Sequence, residues 1–87
     1  MPTELDVPKE IAKNRDAREV LRVWATTGGQ QFVLLPTWKD PAAWGLLLVD
    51  IARHVAKSYA AQDRTDADSV MARIREGFDV EWSSSSD

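Results

Sequence analysis

Residues 19–35 read Glu19-Val20-Leu21-Arg22-Val23-Trp24-Ala25-Thr26-Thr27-Gly28-Gly29-Gln30-Gln31-Phe32-Val33-Leu34-Leu35. Two runs rich in β-branched, aromatic and aliphatic residues flank a Gly-Gly pair. Such runs fit a pleated, half-buried surface, and glycine tolerates the positive φ that tight hairpin turns demand. The stretch therefore predicts an antiparallel β-hairpin turning at Gly28-Gly29. That turn would pair Thr27 with Gln30, Ala25 with Phe32 and Val23 with Leu34. A competing reading starts a helix at Asp16, with Glu19 completing a capping box and Val20, Leu21 and Trp24 on one face. Thr26-Thr27-Gly28-Gly29 would end such a helix badly, so the hairpin is preferred.

Alternation then divides the side chains between two faces. Leu21, Val23 and Ala25 share one with Phe32 and Leu34. It is wholly apolar and is expected to meet helices. The other face carries Val20, Arg22, Trp24 and Thr26 with Gln31, Val33 and Leu35. It is mixed, and a two-stranded hairpin is marginal in water. Trp24, Val33 and Leu35 are therefore the candidate interface residues, to be covered by the N-terminal arm, by Trp38 or by another subunit.

Downstream, Pro36 stops the second strand. Asp40-Pro41 supplies an N-cap and a first-turn proline for a helix running to about Gln62. Trp44, Leu48, Ile51, Val55 and Tyr59 recur at helical spacing and are read as the core-facing stripe. Gly45, Val49, Ala52, Ala56 and Ala60 form a second line of small residues along which another element could approach closely. Asp63 to Asp66 form a turn. A second helix follows, capped by Thr65 or Asp66, with Thr65-x-x-Asp68 as a partial capping box and Ala67, Val70, Met71 and Ile74 as its apolar face. Gly77 offers a stop. Residues 78–82 alternate as a short third strand would, yet Ile74, Phe78 and Trp82 share a helix face, and helix is the preferred reading.

The expected fold is thus two-layer α+β: an antiparallel hairpin packed on two helices, in the order ββαα. Residues 1–15 are an extended arm with one helical turn after Pro8, residues 16–82 a single domain, and residues 83–87 a low-complexity, disordered tail.

Composition narrows the function. In 87 residues there is no cysteine, so neither a disulfide nor a thiolate zinc site can form. Ordering each residue costs roughly 1.5 kcal/mol, which leaves a domain this small near break-even and favours association with a second copy or another protein. The net charge of −3 divides as −1 over residues 1–19, +2 over 20–61 and −4 over 62–87, and no two Lys or Arg adjoin. Nucleic acid would require a clustered basic face. The longest apolar run, residues 42–49, is far short of the roughly 20 residues a membrane helix needs. The acidic N-terminus does not read as a signal peptide, and a cytoplasmic setting is expected.

Chemistry-bearing residues are few. His54 is the single histidine, with Asp50 one helical turn before it and Arg53 alongside. An Asp–His contact there could serve a general base, whereas a solvated polar face explains the same spacing. No second His or Cys completes a metal site. Trp38 and Trp44 could line an aromatic pocket, or simply fill volume in a small domain. Trp38, Trp44, Asp50, Arg53 and His54 are the candidate ligand-binding residues. No catalytic residue, metal or cofactor is expected.

The strings Leu21-Arg22-Val23-Trp24, Asp40-Pro41-Ala42-Ala43-Trp44-Gly45 and Asp50-Ile51-Ala52-Arg53-His54, with Gly29 to Leu35 and Phe78 to Trp82, resemble an uncharacterised family of small bacterial proteins, a domain of unknown function. The resemblance covers residues 18–82. It implies a compact bacterial protein and no particular activity. The function expected is a non-enzymatic interaction module, a homodimer or accessory subunit acting through the sheet face and the helix edge. The alternative is a small-molecule binder or minor enzyme using the polar face of the first helix with the nearby tryptophans, Trp38 and Trp44.

Overall fold

The computed structural model describes residues 3–84. Two β-strands precede two long helices in an α+β, ββαα layout, and the chain divides into two compact units, residues 1–39 and 40–87.

The first unit begins with the arm. A single helical turn, α1 (Lys9–Ala12), follows Pro8, whose carbonyl accepts from the Ile11 and Ala12 amides at 3.0 Å. No helix starts at Asp16. The Asn14 side chain takes the Asp16 amide at 2.9 Å, and the chain then extends into β1 (Leu21–Thr26). β1 pairs antiparallel with β2 (Gly29–Leu34), and the Leu35 amide continues the ladder to the Val20 carbonyl at 3.0 Å.

The register differs from the expected one. Thr26 pairs with Gly29, Val23 with Phe32, Arg22 with Val33 and Leu21 with Leu34, so the loop is Thr27-Gly28. The cause is Thr26. Its hydroxyl donates to the Gly29 carbonyl at 3.0 Å and accepts from the Gly28 amide at 3.3 Å, closing the turn one residue early. Gly29, not Gly28, takes the positive φ, at 138°. Moving the turn by one residue moves each pairing by two, so the faces keep their members. Trp24 now lies opposite Gln31, and Val33 opposite Arg22.

The second unit is a helical hairpin of α2 (Ala42–Asp63) and α3 (Ala67–Ser83), which pack together. Asp40 acts as the expected cap, its Oδ1 accepting from the Ala42 amide at 3.0 Å. α2 ends where Arg64 enters the left-handed region at φ 55°. Asp66 holds the N-cap position of α3 without a side-chain cap, so the capping box does not form; its carboxylate accepts from the Ser69 hydroxyl at 3.2 Å.

α3 does not stop at Gly77, and residues 78–82 are helix in place of a third strand. Ion pairs Arg73–Glu76 and Arg75–Asp79 and the stacked Phe78 and Trp82 rings, 5.6 Å apart, all use helical spacing. Ser83 closes the helix and Ser84 is extended. The rest of the expected tail lies outside the described residues.

Burial on α2 falls on the alanines of the small-residue line, while Gly45 and Val49 of the same line are exposed. Ala56 is 1% exposed, with Ala52 and Ala60 half-buried beside it and Ala67, Val70, Met71 and Ile74 half-buried on α3. Alanines let the two helix backbones approach closely. Of the stripe expected to face the core, Trp44 is half-buried, and Leu48, Ile51, Val55 and Tyr59 stay 38–54% exposed.

Candidate functional site

Exposed apolar side chains are the chief surface feature of the hairpin. β-Strands project alternate residues to opposite faces, and within the hairpin unit both faces carry exposed apolar residues. Val23, Phe32 and Leu34 on the all-apolar face are 49–60% exposed, and Val33 and Leu35 on the mixed face 60% and 47%. Of the expected interface residues, Trp24 is half-buried, and Val33 and Leu35 are open. A shallow concavity gathers Val20, Leu21, Arg22, Val33 and Leu35 at the open end of the hairpin.

The arm is fastened here without covering the face. Arg22 bonds Glu19 and reaches Glu4 at 3.1 Å. The Glu19 hydrogen bond and charge, reinforced by Glu4, raise the guanidinium pKa above its ordinary value. Yet Leu5 of the same arm is 97% exposed. The arm brings a carboxylate to the sheet and leaves its apolar residues in water.

The polar flank of α2 is the second candidate. The expected Asp50–His54 contact is absent as a carboxylate–imidazole pair. His54 Nδ1 lies 2.8 Å from the Asp50 backbone carbonyl, which can only accept, so that nitrogen carries the proton. The Asp50 carboxylate pairs with Arg53 at 3.3 Å. The Ser58 hydroxyl donates to the His54 carbonyl at 3.0 Å. These are local helix-surface bonds, and both members of the Asp50–Arg53 pair are more than 60% exposed. Leu47, Ile51, Val55 and Ser58 join Asp50 and His54 along one open groove.

Trp44 is half-buried in the first turn of α2. It stands six residues before Asp50, about 9 Å along the axis and about 120° around it, so the two do not share a face. Trp38 belongs to the first unit, ahead of α2. Among the described residues no three His, Cys, Asp or Glu side chains gather where a metal ion could be held, and no helix is long and apolar enough to cross a membrane. Sequence reasoning missed Phe32 and Val23, having assigned their face to the core. Their exposure has no signature in the residue pattern, which is the same for a covered and an uncovered sheet.

The family model described as Domain of unknown function (DUF5076) matches residues 4–86. No curated protein matches the chain. Among solved structures it is similar to one named as a proposed pyruvate dehydrogenase from the photosynthetic bacterium Rhodopseudomonas palustrus CGA009. That likeness has 40% identity and a TM-score of 0.83, and covers 100% of this chain and 89% of that one.

Proposed function

The chain belongs to the DUF5076 family, and we propose that it is a cytoplasmic, non-enzymatic interaction module, a homodimer or accessory subunit that offers its hairpin to a partner. One observation carries this reading: large apolar side chains stand exposed on both faces of the same two-stranded sheet. Apolar area left in water forfeits about 25 cal/mol per Å², and contiguous patches of several hundred Å² mark interaction sites in soluble proteins. An antiparallel hairpin also has two unpaired edges, to which another strand can add. The sizing of the protein in native extract, with and without Val33→Glu, tests the reading. A species heavier than the chain that Val33→Glu reduces to chain mass supports it.

A second reading is a small-molecule binder or minor enzyme on the polar flank of α2. Its support is the groove beside His54 and the name carried by the similar solved structure, which would place this chain in pyruvate chemistry. Against it, Asp50 and Arg53 satisfy each other in solvent, where water screens the charges a reaction would use. Thermal denaturation with pyruvate and a panel of small carboxylic acids separates the two. A ligand at 100 times its Kd adds about 2.7 kcal/mol of stability, a large shift for a domain of this size.

A further inference from the structure

We propose that β2 pairs edge to edge with the β2 of a second copy, antiparallel and centred on Phe32, so that two hairpins form one four-stranded sheet; this rests on the interaction-module reading and names its partner and register. The hydrogen bonding of the hairpin shows which backbone groups are left over. The Leu35 amide donates to the Val20 carbonyl, which lies directly opposite in the register that pairs Leu21 with Leu34. Val20 and Leu35 are thus a bonding pair, and in an antiparallel ladder bonding pairs alternate with non-bonding ones. Arg22–Val33 and Trp24–Gln31 are then bonding pairs, while Leu21–Leu34, Val23–Phe32 and Ala25–Gln30 are not. The N–H and C=O groups of Gln30, Phe32 and Leu34 point away from β1, along the outer edge of β2. Among the described residues no backbone group of another element bonds to them.

That edge lacks the usual guards. Native edge strands are blunted by charge or by proline. β2 contains neither from Gly29 to Leu34. β1 is charged instead at Arg22, which Glu19 and Glu4 join. Phe32, Val33 and Leu34 are 49–60% exposed, so open edge and exposed apolar surface coincide on one strand. A second copy fits by symmetry. A two-fold axis through Phe32, perpendicular to the sheet, sets Phe32 opposite the second copy's Phe32 and Gln30 opposite the second copy's Leu34. All of these residues bond outward, so each pair exchanges two hydrogen bonds. A shift of one residue would set outward-bonding Phe32 against inward-bonding Val33 and exchange the faces. No charged side chain lies on β2 to oppose the pairing, and one edge complements itself, as an isologous dimer requires. The result relieves a two-stranded hairpin that is marginal in water.

Amide hydrogen exchange on wild type, with light scattering on a sizing column over the same concentration series, tests this. Wild type is expected to be a dimer, and exchange at Gln30, Phe32 and Leu34 to slow as the dimer forms, as it is already slow at Gln31 and Val33 within the ladder. The outward amides of β1, at Leu21, Val23 and Ala25, should stay fast at every concentration. Phe32→Lys sets like charges directly opposite across the axis, so it should lose the dimer and keep the slow exchange of Gln31 and Val33. A dimer in which Gln30, Phe32 and Leu34 exchange as fast as Leu21, Val23 and Ala25 overturns the edge pairing and leaves the interaction module standing on the sheet faces. A Phe32→Lys variant that keeps both ladder and dimer does the same. A wild type that is monomeric throughout overturns the second copy as partner. The interaction module then holds only as a subunit of another protein's assembly, and it falls as well if the chain runs at single-chain mass in native extract.

Discussion

The imidazole of His54 donates from Nδ1 to the backbone carbonyl of Asp50 at 2.8 Å, while the Asp50 carboxylate turns to Arg53 at 3.3 Å. The two residues that most resemble a catalytic dyad in the sequence are joined through main chain. A neutral backbone carbonyl does not supply the negative charge with which a dyad's carboxylate stabilises an imidazolium. His54→Ala is therefore expected to change stability by no more than about 0.5 kcal/mol, the usual range for exposed side chains. Urea midpoints check this, and a loss near 3 kcal/mol would contradict it.

Gly77 lies inside α3, and a methyl group added there meets nothing within 4 Å. Glycine in a helix interior is less favourable than alanine by about 1 kcal/mol. Gly77→Ala should raise stability by about 0.5–1 kcal/mol in chemical denaturation. A decrease would mean that another chain approaches α3 at this point.

Arg64 occupies the left-handed region at the end of α2. A side chain there crowds its own carbonyl, and helix ends of this kind favour glycine. Arg64→Gly should stabilise the helical unit by about 0.5–1 kcal/mol, read from the unfolding midpoint.

Gly29 holds φ at 138° beside the Thr26 hydroxyl that closes the turn. Gly29→Ala should cost about 1–2 kcal/mol, because an L side chain strains in that region. Gly28, where φ is not positive, should tolerate alanine better. Comparing the two unfolding midpoints tests the assignment of the loop to Thr27-Gly28, and the reverse order would support a turn at Gly28-Gly29.

Arg22 ties the arm to the sheet through Glu4. Arg22→Gln should quicken proteolytic cleavage within residues 3–15 while leaving hairpin and helices intact. High salt should do the same to wild type, since exposed ion pairs are screened. An unchanged cleavage rate in both would show that the arm is held by other means.

Much of the fold was legible from residues alone. Gly-Gly between two β-rich runs marked the hairpin, and Asp40-Pro41 marked the start of α2. The register slipped because the hydrogen bonds of the Thr26 side chain, not glycine content, chose the loop. Face membership survived, since the slip preserved parity. Bulk suggested that Leu48, Ile51 and Val55 were core, but burial on α2 falls on Ala56 with Ala52 and Ala60 beside it, and those three larger residues are exposed. The site was less legible. Spacing put Asp50 one turn from His54, but not which oxygen of Asp50 the ring would use. Nor does alternation along β1 and β2 tell a covered face from an exposed one.

The measurement that bears most directly on the interaction reading is the mass of the native species, purified and in extract, for wild type and Val33→Glu. The account predicts a wild-type species of at least twice the 9.8 kDa chain mass in extract, and a folded Val33→Glu variant that loses the partner held by the hairpin. Wild type at the mass of a single chain in both settings would contradict it.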